Sequence, residues 1–445
     1  MTSRLVRLAT LRRMLRHSRA TRTEIIAFQS ERLRHLVAHA YEKVPYYRKL
    51  FDAHGLRPEH IRSVGDLHRI PVSSKTELQA SPPEEVLASD ADRRKLRSIT
   101  TSGSTGRPFT VWRGPGDNLA FPVLFLRARR FHGIPWRGRA AFVNNAARNR
   151  RRSRGGRFGR QTLFIDCTLP PEEIKRRLLE FKPDVISGFP TAIALAATLL
   201  TEEERERIGP RMIFTASEVV TPLMRAQITT GFHAPMYDTY NCWELGHIAS
   251  EGREPGHYAI ADDAVVVEVL RDDGQPAQEG EAGELVGTNL HFHAMPFIRY
   301  RLGDIVTRGA VGAVAGLPFS TLRAIQGRTV DYFRLSGGRL LHPCAVMLTI
   351  HEIPWIRQYQ LVQETETRIT ARIVPHSPPS EQELEALREL IRVSTGGEVR
   401  VVTQLVPEIA PGPNGKFRAA LSHLHSYYEG ASLPSPSDTS STGAA

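Results

Sequence analysis

The chain has 445 residues, 41% hydrophobic and 24% charged, proportions of a globular protein long enough for at least two domains. No run approaches the roughly 20 apolar residues of a membrane span. The Arg-studded N-terminus lacks the apolar core of a signal peptide, and Cys167, Cys242 and Cys344 stand isolated, which argues against a disulfide framework or a cysteine-based zinc site. A cytoplasmic location is expected. The net charge of +12 is matched by twelve Arg within residues 127–160, a segment with no Asp or Glu.

In chain order, the first hundred residues read as helical. Residues 27–47 place Leu33, Leu36, Val37 and Ala40 at helical spacing, and Pro45 is expected to close that helix. Residues 71–78 read as a loop entering a short helix capped by Ser74. Ser98–Thr110 follows, where Thr101, Ser102, Gly103, Ser104, Thr105 and Gly106 each carry a hydroxyl or no side chain beyond hydrogen. Backbone N–H groups of such a loop can turn inward together and cradle a polyphosphate. It is not a Walker loop, because Gly103 and Gly106 are three apart and Arg107-Pro108 follows.

Within the Arg-rich segment 127–160, the stripe Arg148, Arg150, Arg151, Arg152, Arg154, Arg157 and Arg160 in a Gly/Ser context reads as a mobile basic loop. Its neighbouring aromatics form no stacking platform, which disfavours nucleic acid. A phosphopantetheine-bearing acyl carrier protein, or the phosphates of coenzyme A, fits the charge. Beyond it, strand 162–166, helix 171–181, strand 184–186, helix 191–203 and strand 211–215 alternate as in a mainly parallel sheet, whose ligands sit beyond the carboxyl ends of strands. Gly188, Phe189, Ala216, Ser217 and Glu218 fall at such ends.

In residues 236–248, Tyr237, Tyr240 and Trp243 could offer stacking faces beside Glu244, a carboxylate for magnesium. Antiparallel strands at 264–270, 283–289 and 297–299 lead to Asp304, which sits at a Gly turn and could accept both hydroxyls of a ribose. Residues 327–331 read as a hinge. Strands 357–363, 367–374 and 398–405 with helix 380–393 make a small α+β lobe, and 429–445 read as disordered. Only seven Lys stand against 52 Arg, and Lys416 is the only Lys beyond Lys182. On a Gly-rich loop, it suggests a task for a compact point charge. Taken one at a time, these features also read as a flexible turn, strand-end turn residues, a solvated Glu and a chance Lys.

Together and in this order, the Ser/Thr/Gly loop, Tyr/Glu box, Arg-x-Gly-Asp, Gly-Arg hinge and Gly-Lys loop resemble the adenylate-forming superfamily. The likeness is closer to its phenylacetate–CoA ligase and capsule-biosynthesis branch, through Tyr41-Glu42-Lys43-Val44-Pro45-Tyr46-Tyr47-Arg48 and the Leu67–Pro71 box. The resemblance implies an α/β fold: a large N-terminal domain of mixed sheets with a β-rich subdomain (1–326), and a small mobile α+β lid (327–428). It implies ATP and Mg²⁺ as cofactors and a carboxylic acid, best an aromatic one, activated as its acyl-adenylate. The acyl group would then pass to the thiol of coenzyme A or of carrier-bound phosphopantetheine, or alternatively to an amine. Catalytic loss, leaving a nucleotide-binding homologue, is a further alternative.

By the same resemblance, Thr101–Gly106 would wrap the β- and γ-phosphates and Glu244 would hold magnesium. Ser217, Glu218 and Tyr240 would line the adenine, and Asp304 and Arg328 would bind the ribose. Gly188, Phe189, Ala216, Asn241 and Cys242 would border the acid, and Lys416 would meet the α-phosphate. The chain departs from the usual pattern at Val330, which replaces the first hinge Asp before Asp331. Asn241 stands in place of a Gly, and Arg107 in place of a Lys. Glu251-Gly252 occupies the position where some relatives have a zinc-binding Cys, so no structural zinc is expected.

Overall fold

The computed structural model describes residues 2–101, 109–117, 119–133, 138–144, 161–167, 169–314, 316–328, 333–338, 340–341, 346–347, 350, 353–410 and 418–424. Ser102, Gly103, Ser104, Thr105, Gly106, the Arg cluster 148–160, Val330, Asp331, Lys416 and the segment 429–445 lie outside the described residues.

Three helices open the chain: α1 (Thr2–His17), α2 (Arg22–Lys43) and α3 (Pro45–Ala53). Thr21 and Glu24 form a reciprocal capping box at the start of α2. That helix stops before Pro45 as expected. Pro45 does more than close it, because it is the first residue of α3, where a missing N–H costs nothing. Leu33, Leu36, Val37 and Ala40 bury one stripe of α2 against Tyr47 and Phe51 of α3. Each large apolar side chain so covered contributes about 1.5–3 kcal/mol. Ser74 and Glu77 cap the short α4 (Lys75–Ala80) with a second capping box, and α5 (Pro83–Val86) follows.

Strands β1 (Arg97–Thr101) and β2 (Phe109–Arg113) pair antiparallel, with Thr101 opposite Phe109 at the two ends of the Ser/Thr/Gly stretch. Part of the Arg-rich 127–160 segment is regular structure. Residues 127–131 belong to α6 (Ala120–Phe131), and β3 (Ala140–Asn144) lies inside the 127–160 range. The strand escaped notice because it is five residues long, follows Arg139, and buries only Ala140, Ala141 and Val143. There follow β4 (Thr162–Asp166), α7 (Pro171–Phe181), β5 (Val185–Gly188), α8 (Pro190–Thr198), α9 (Glu202–Ile208), β6 (Met212–Ala216), α10 (Pro222–Phe232) and β7 (Met236–Cys242). The expected helix 191–203 is thus two helices, because Thr201 and Glu204 form a capping box that starts the second.

The chain then turns antiparallel through β8 (Gly246–Glu251), β9 (Tyr258–Ile260), β10 (Val265–Leu270), β11 (Ala282–Asn289), β12 (Tyr300–Arg308) and β13 (Thr321–Arg328). Among the described residues, eleven strands join in one mixed sheet of order β10-β11-β12-β13-β9-β8-β7-β6-β5-β3-β4. Its β4-β3-β5-β6-β7 part is parallel, and β7-β8-β9 is antiparallel. This is the α/β architecture with a β-rich side that the sequence implied.

No strand forms at 297–299, because Arg299 adopts a left-handed backbone with φ 46° and β12 begins only after it. The kink lets the buried Arg299 grip Glu268 at 2.9 and 2.8 Å and donate to the carbonyls of His68 and Ile70. Arg299→Ala is expected to cost about 3–5 kcal/mol by stranding Glu268 and two carbonyls, read as a lowered urea midpoint. Arg299→Lys, which keeps the charge but not the fork, should recover less than half of it.

Two compact units result, one of the described residues up to Gln326 and one from Gly327 to Ala410, resumed at Arg418. The second unit holds the hairpin β14 (Phe333–Arg334) and β15 (Leu340–Leu341) and a sheet of order β18-β17-β16-β19. That sheet comprises β16 (Ile356–Thr365), β17 (Arg368–Pro375), β18 (Arg400–Leu405) and β19 (Ala420–Ser422). Helix α11 (Glu381–Ser394), capped by Ser380 and Glu383, buries Leu387 and Ile391. The amide of buried Gln363 ties the small elements to the sheet: it donates to the Arg334 carbonyl at 2.5 Å and accepts from the Arg334 N–H and the Ser422 hydroxyl, both at 2.9 Å.

Candidate active site

The parallel strands β5, β6 and β7 are neighbours in register, Gly188 beside Thr215 and Ala216 beside Thr239. Their carboxyl ends therefore bring Gly188, Phe189, Ala216, Asn241 and Cys242 to one edge, where ligands of such sheets sit. Two backbone features mark it. Gly188 has φ 151°, and a Cβ there would stand 1.9 Å from the Val143 carbonyl oxygen. Ser217 holds φ 79°, a conformation rare outside glycine, at the turn leaving β6. Strained backbone of this kind clusters at functional sites.

Glu218 follows Ser217 at the turn leaving β6. Its carboxylate accepts the Thr191 N–H at 3.0 Å, one of the donors left open at the start of α8 behind Pro190. The side chain thereby links the β6 turn to the helix that carries Phe189 at its entrance.

Tyr237, Tyr240 and Trp243 present their rings to different surroundings. Residues three apart on a strand point to opposite sides. Tyr237 stacks on His132 with centroids 3.6 Å apart, and Trp243 is exposed. Tyr240 is buried on the other side, where its hydroxyl donates to Asp304 Oδ2 at 2.5 Å. Two motif residues far apart in the chain thus meet directly. Behind Asp304, Glu284 pairs with Arg301 at 3.1 Å. Burial, reinforced by the Asp304 charge and opposed by Arg301, pushes the Glu284 carboxyl up to about 7. Thr101 and Arg328 end strands β1 and β13.

Glu244 is buried, and next to it lies a residue that sequence reasoning missed. Arg113, the last residue of β2, donates from Nη2 to the Trp243 carbonyl and lies 3.7 Å from the centroid of Phe292. Burial lowers its guanidinium to about 10, held there by the charges of Cys242, Asp117 and Glu244, so it remains cationic at neutral pH. The alternating burial of β2 was the available signal, since it turns Phe109, Val111 and Arg113 inward together. Among the described residues, no group of three or more His, Cys, Asp or Glu is disposed around a metal. Glu244 therefore offers one carboxylate, which suits Mg²⁺ held mainly by phosphate oxygens and water.

A buried network fixes β7. Glu251 grips Arg225 at 2.8 and 2.9 Å and accepts the Asp238 and Gly256 N–H groups. Asp238 accepts the hydroxyls of Thr215 and Tyr258 at 2.7 and 3.1 Å. Burial, aided by the Glu251 charge, raises the Asp238 carboxyl to about 7. A carboxyl raised above its unfolded pKa stabilises the fold below about pH 4, and that contribution is lost as pH rises to about 7. Asp238→Asn should flatten thermal stability across this window, removing a slope of at most about 1.4 kcal/mol per pH unit. An unchanged pH profile of Tm would count against the assignment.

Three Arg of the 127–160 segment are committed inside the fold. Arg127 pairs with Asp263 at 2.7 Å, Arg129 is buried, and Arg139 lies over Phe181.

Comparison with known proteins places this arrangement. A phenylacetate-coenzyme A ligase of Aromatoleum evansii is 32% identical over 307 residues, covering 64% of this chain and 67% of its own length. The chain belongs to the phenylacetate–CoA ligase family of adenylate-forming enzymes. A family member from Thermus thermophilus, also a phenylacetate-coenzyme A ligase, is 29% identical over 444 residues, covering 90% of this chain and 97% of its own. Residues 336–423 match the family model described as the CapK C-terminal domain, which ties the second unit to the capsule-biosynthesis side of the family. Among solved structures, a 2-hydroxyisobutyryl-CoA ligase in complex with R3-HIB-AMP has a TM-score of 0.75 at 20% identity, covering 92% of this chain and 91% of its own. At that identity the likeness speaks for the fold, and this chain is an AMP-forming acid–thiol ligase by family.

Proposed function

We propose that this ligase uses ATP and Mg²⁺ to convert an aromatic carboxylic acid to its acyl-adenylate and then passes the acyl group to coenzyme A. The observation that carries the reading is the hydrogen bond from Tyr240 to Asp304, which joins the Tyr/Glu box to the Arg-x-Gly-Asp motif at one buried point. Asp304 would take the ribose hydroxyls there, with Arg328 assisting. Tyr240 and Ser217 would flank the adenine, with Glu218 holding the turn that presents Ser217. Thr101, Ser102, Gly103, Ser104, Thr105 and Gly106 would receive the outer phosphates.

In the first step a carboxylate oxygen of the acid attacks the α-phosphorus, the bond to the bridging oxygen breaks, and pyrophosphate leaves. Lys416 would neutralise charge building on the α-phosphoryl oxygens. Glu244 would hold Mg²⁺, which supplies positive charge to the phosphates when bound, and Arg113 would keep that carboxylate fixed. In the second step the thiol sulfur attacks the acyl carbonyl, AMP departs with its phosphate oxygen, and the thiol proton goes to solvent. The lobe from Gly327 would turn about Val330 and Asp331 between the steps.

An aromatic acid is favoured by the rim of Phe189, Ala216 and Cys242 at the strand ends and by the phenylacetate ligases among the relatives. Asp304→Ala is expected to raise the KM for ATP about 10–100-fold, the loss of hydrogen bonds to a charged group. Tyr240→Phe should raise it only a few-fold. Steady-state kinetics over a panel of aryl and aliphatic acids decides both points, and an unaltered nucleotide KM in Asp304→Ala would remove the ribose assignment. Carrier protein and amines, offered in place of coenzyme A, test the acceptor in the same assay.

A further inference from the structure

A cavity of about 540 Å³ opens between the N-terminal helices, the turn after β2 and residues 291–294. None of the strand-end residues of the candidate active site lines it. Its wall carries Arg13, Arg32, His39, Lys95, His291 and His293. Three carboxylates also line it. Asp92 pairs with Lys95 at 2.9 Å, Asp117 accepts the N–H groups of Gly114 and His293, and the exposed Asp90 acts on Lys43. Among the described residues neither Arg13 nor Arg32 has a carboxylate partner. Arg32 spends one N–H on the Leu290 carbonyl, and its Nε is buried without a partner.

The imidazoles complete the pattern. His39 bonds the His293 carbonyl at 3.0 Å, His293 the His291 carbonyl at 3.0 Å, and His291 the Asp263 carbonyl at 2.9 Å. A carbonyl accepts only, so each ring presents an N–H there and retains a second nitrogen. Burial and the charges of Arg32 and Arg13 push His291 down to about 4, despite Asp263. His293 is lowered by burial, Arg32 and His39, opposed by Asp117. The site therefore gathers two guanidinium groups without a carboxylate ion-pair partner among the described residues and two imidazoles, His291 and His293, lowered first by burial and further by the Arg32 charge.

We propose that this cavity binds a small ligand through a tetrahedral dianionic group of the phosphate-monoester class, at a site separate from the nucleotide. Arg13 and Arg32 would grip its oxygens with planar forks. The dianion would reverse the field on the histidines, so that binding draws in a proton and strengthens as pH falls. The chemistry, two forks with adjacent imidazolium donors, suits three or four acceptor oxygens better than one planar carboxylate.

The test is calorimetry on the full chain saturated with AMP, using sodium sulfate, which stays dianionic from pH 6.0 to 7.5, at constant ionic strength. One sulfate should bind at least five-fold more tightly at pH 6.0 than at 7.5, with proton uptake revealed by buffers of different ionisation heat. Arg32→Ala and Arg13→Ala, each checked for native circular dichroism, should weaken it at least ten-fold, and Arg32→Lys should restore only part. Inorganic phosphate should compete with sulfate, and malonate should not. No binding in the AMP-saturated protein, equal affinity of both alanine variants and the parent, or pH-independent binding without proton uptake would overturn the site. Preferential binding of malonate would overturn the phosphate class.

Discussion

Lys416→Ala is expected to lower acid-dependent ATP–pyrophosphate exchange by about 10²–10³-fold, the size of effect that follows loss of one charge aimed at a transition state. The KM values for ATP and acid should change far less, because the interaction forms as charge builds on the α-phosphoryl group rather than in the bound ground state. Lys416→Arg should not rescue the rate, since a planar fork cannot replace a compact ammonium at one oxygen. The residue's isolation in the sequence motivates the prediction: Arg serves elsewhere for surface charge, and a single Lys is retained on the Gly-rich loop beyond Lys182. Full exchange activity in Lys416→Ala would remove it from the chemistry and turn attention to Arg113, whose charge the Glu244 carboxylate supports.

The second large effect belongs to Gly188. A methyl group at this position meets the Val143 carbonyl oxygen at 1.9 Å, and that oxygen also accepts the Phe189 N–H at 3.0 Å. Backbone, not a flexible side chain, would have to move, at a residue whose φ of 151° already disfavours any Cβ. Gly188→Ala should therefore destabilise the first unit by about 3–5 kcal/mol, visible as a lower denaturant midpoint. Activity should be lost even where the variant stays folded, because β3 and β5 separate at the end that carries Phe189. A variant with native stability and native acid selectivity would mean that this strand end is not the acid's border.

How much of this could be read from the chain depends on whether a signal was local. The Ser74 cap, the helix starting at 380, the apolar stripe of α2, and the βα alternation from β4 to β6 are written in neighbouring residues, and they stand within a residue or so of where the pattern put them. The misreadings are of pairs separated in sequence. Residues 297–299 are apolar enough for a strand, but a buried ion pair with Glu268 holds Arg299 left-handed. Strand β3 is hidden by its shortness, and β19 is three residues long, stabilised by parallel pairing to β16.

The candidate site divides in the same way. Residue types and order named Tyr240, Asp304 and Glu244, but no periodicity could say that a Tyr hydroxyl donates to an Asp carboxylate 64 positions away, or that the Glu244 charge acts on Arg113. Strand alternation also sends Tyr237 to His132 and Tyr240 to Asp304, a difference of surroundings that their closeness in sequence does not show.

The most direct measurement of the central claim is a product balance with purified protein, ATP, Mg²⁺, coenzyme A and a panel of aromatic acids. An adenylate-forming ligase yields AMP, pyrophosphate and acyl-thioester in equal amounts, and without coenzyme A it supports pyrophosphate exchange that depends on the same acid. Formation of ADP and phosphate with the thioester, or nucleotide turnover indifferent to every acid, would contradict it.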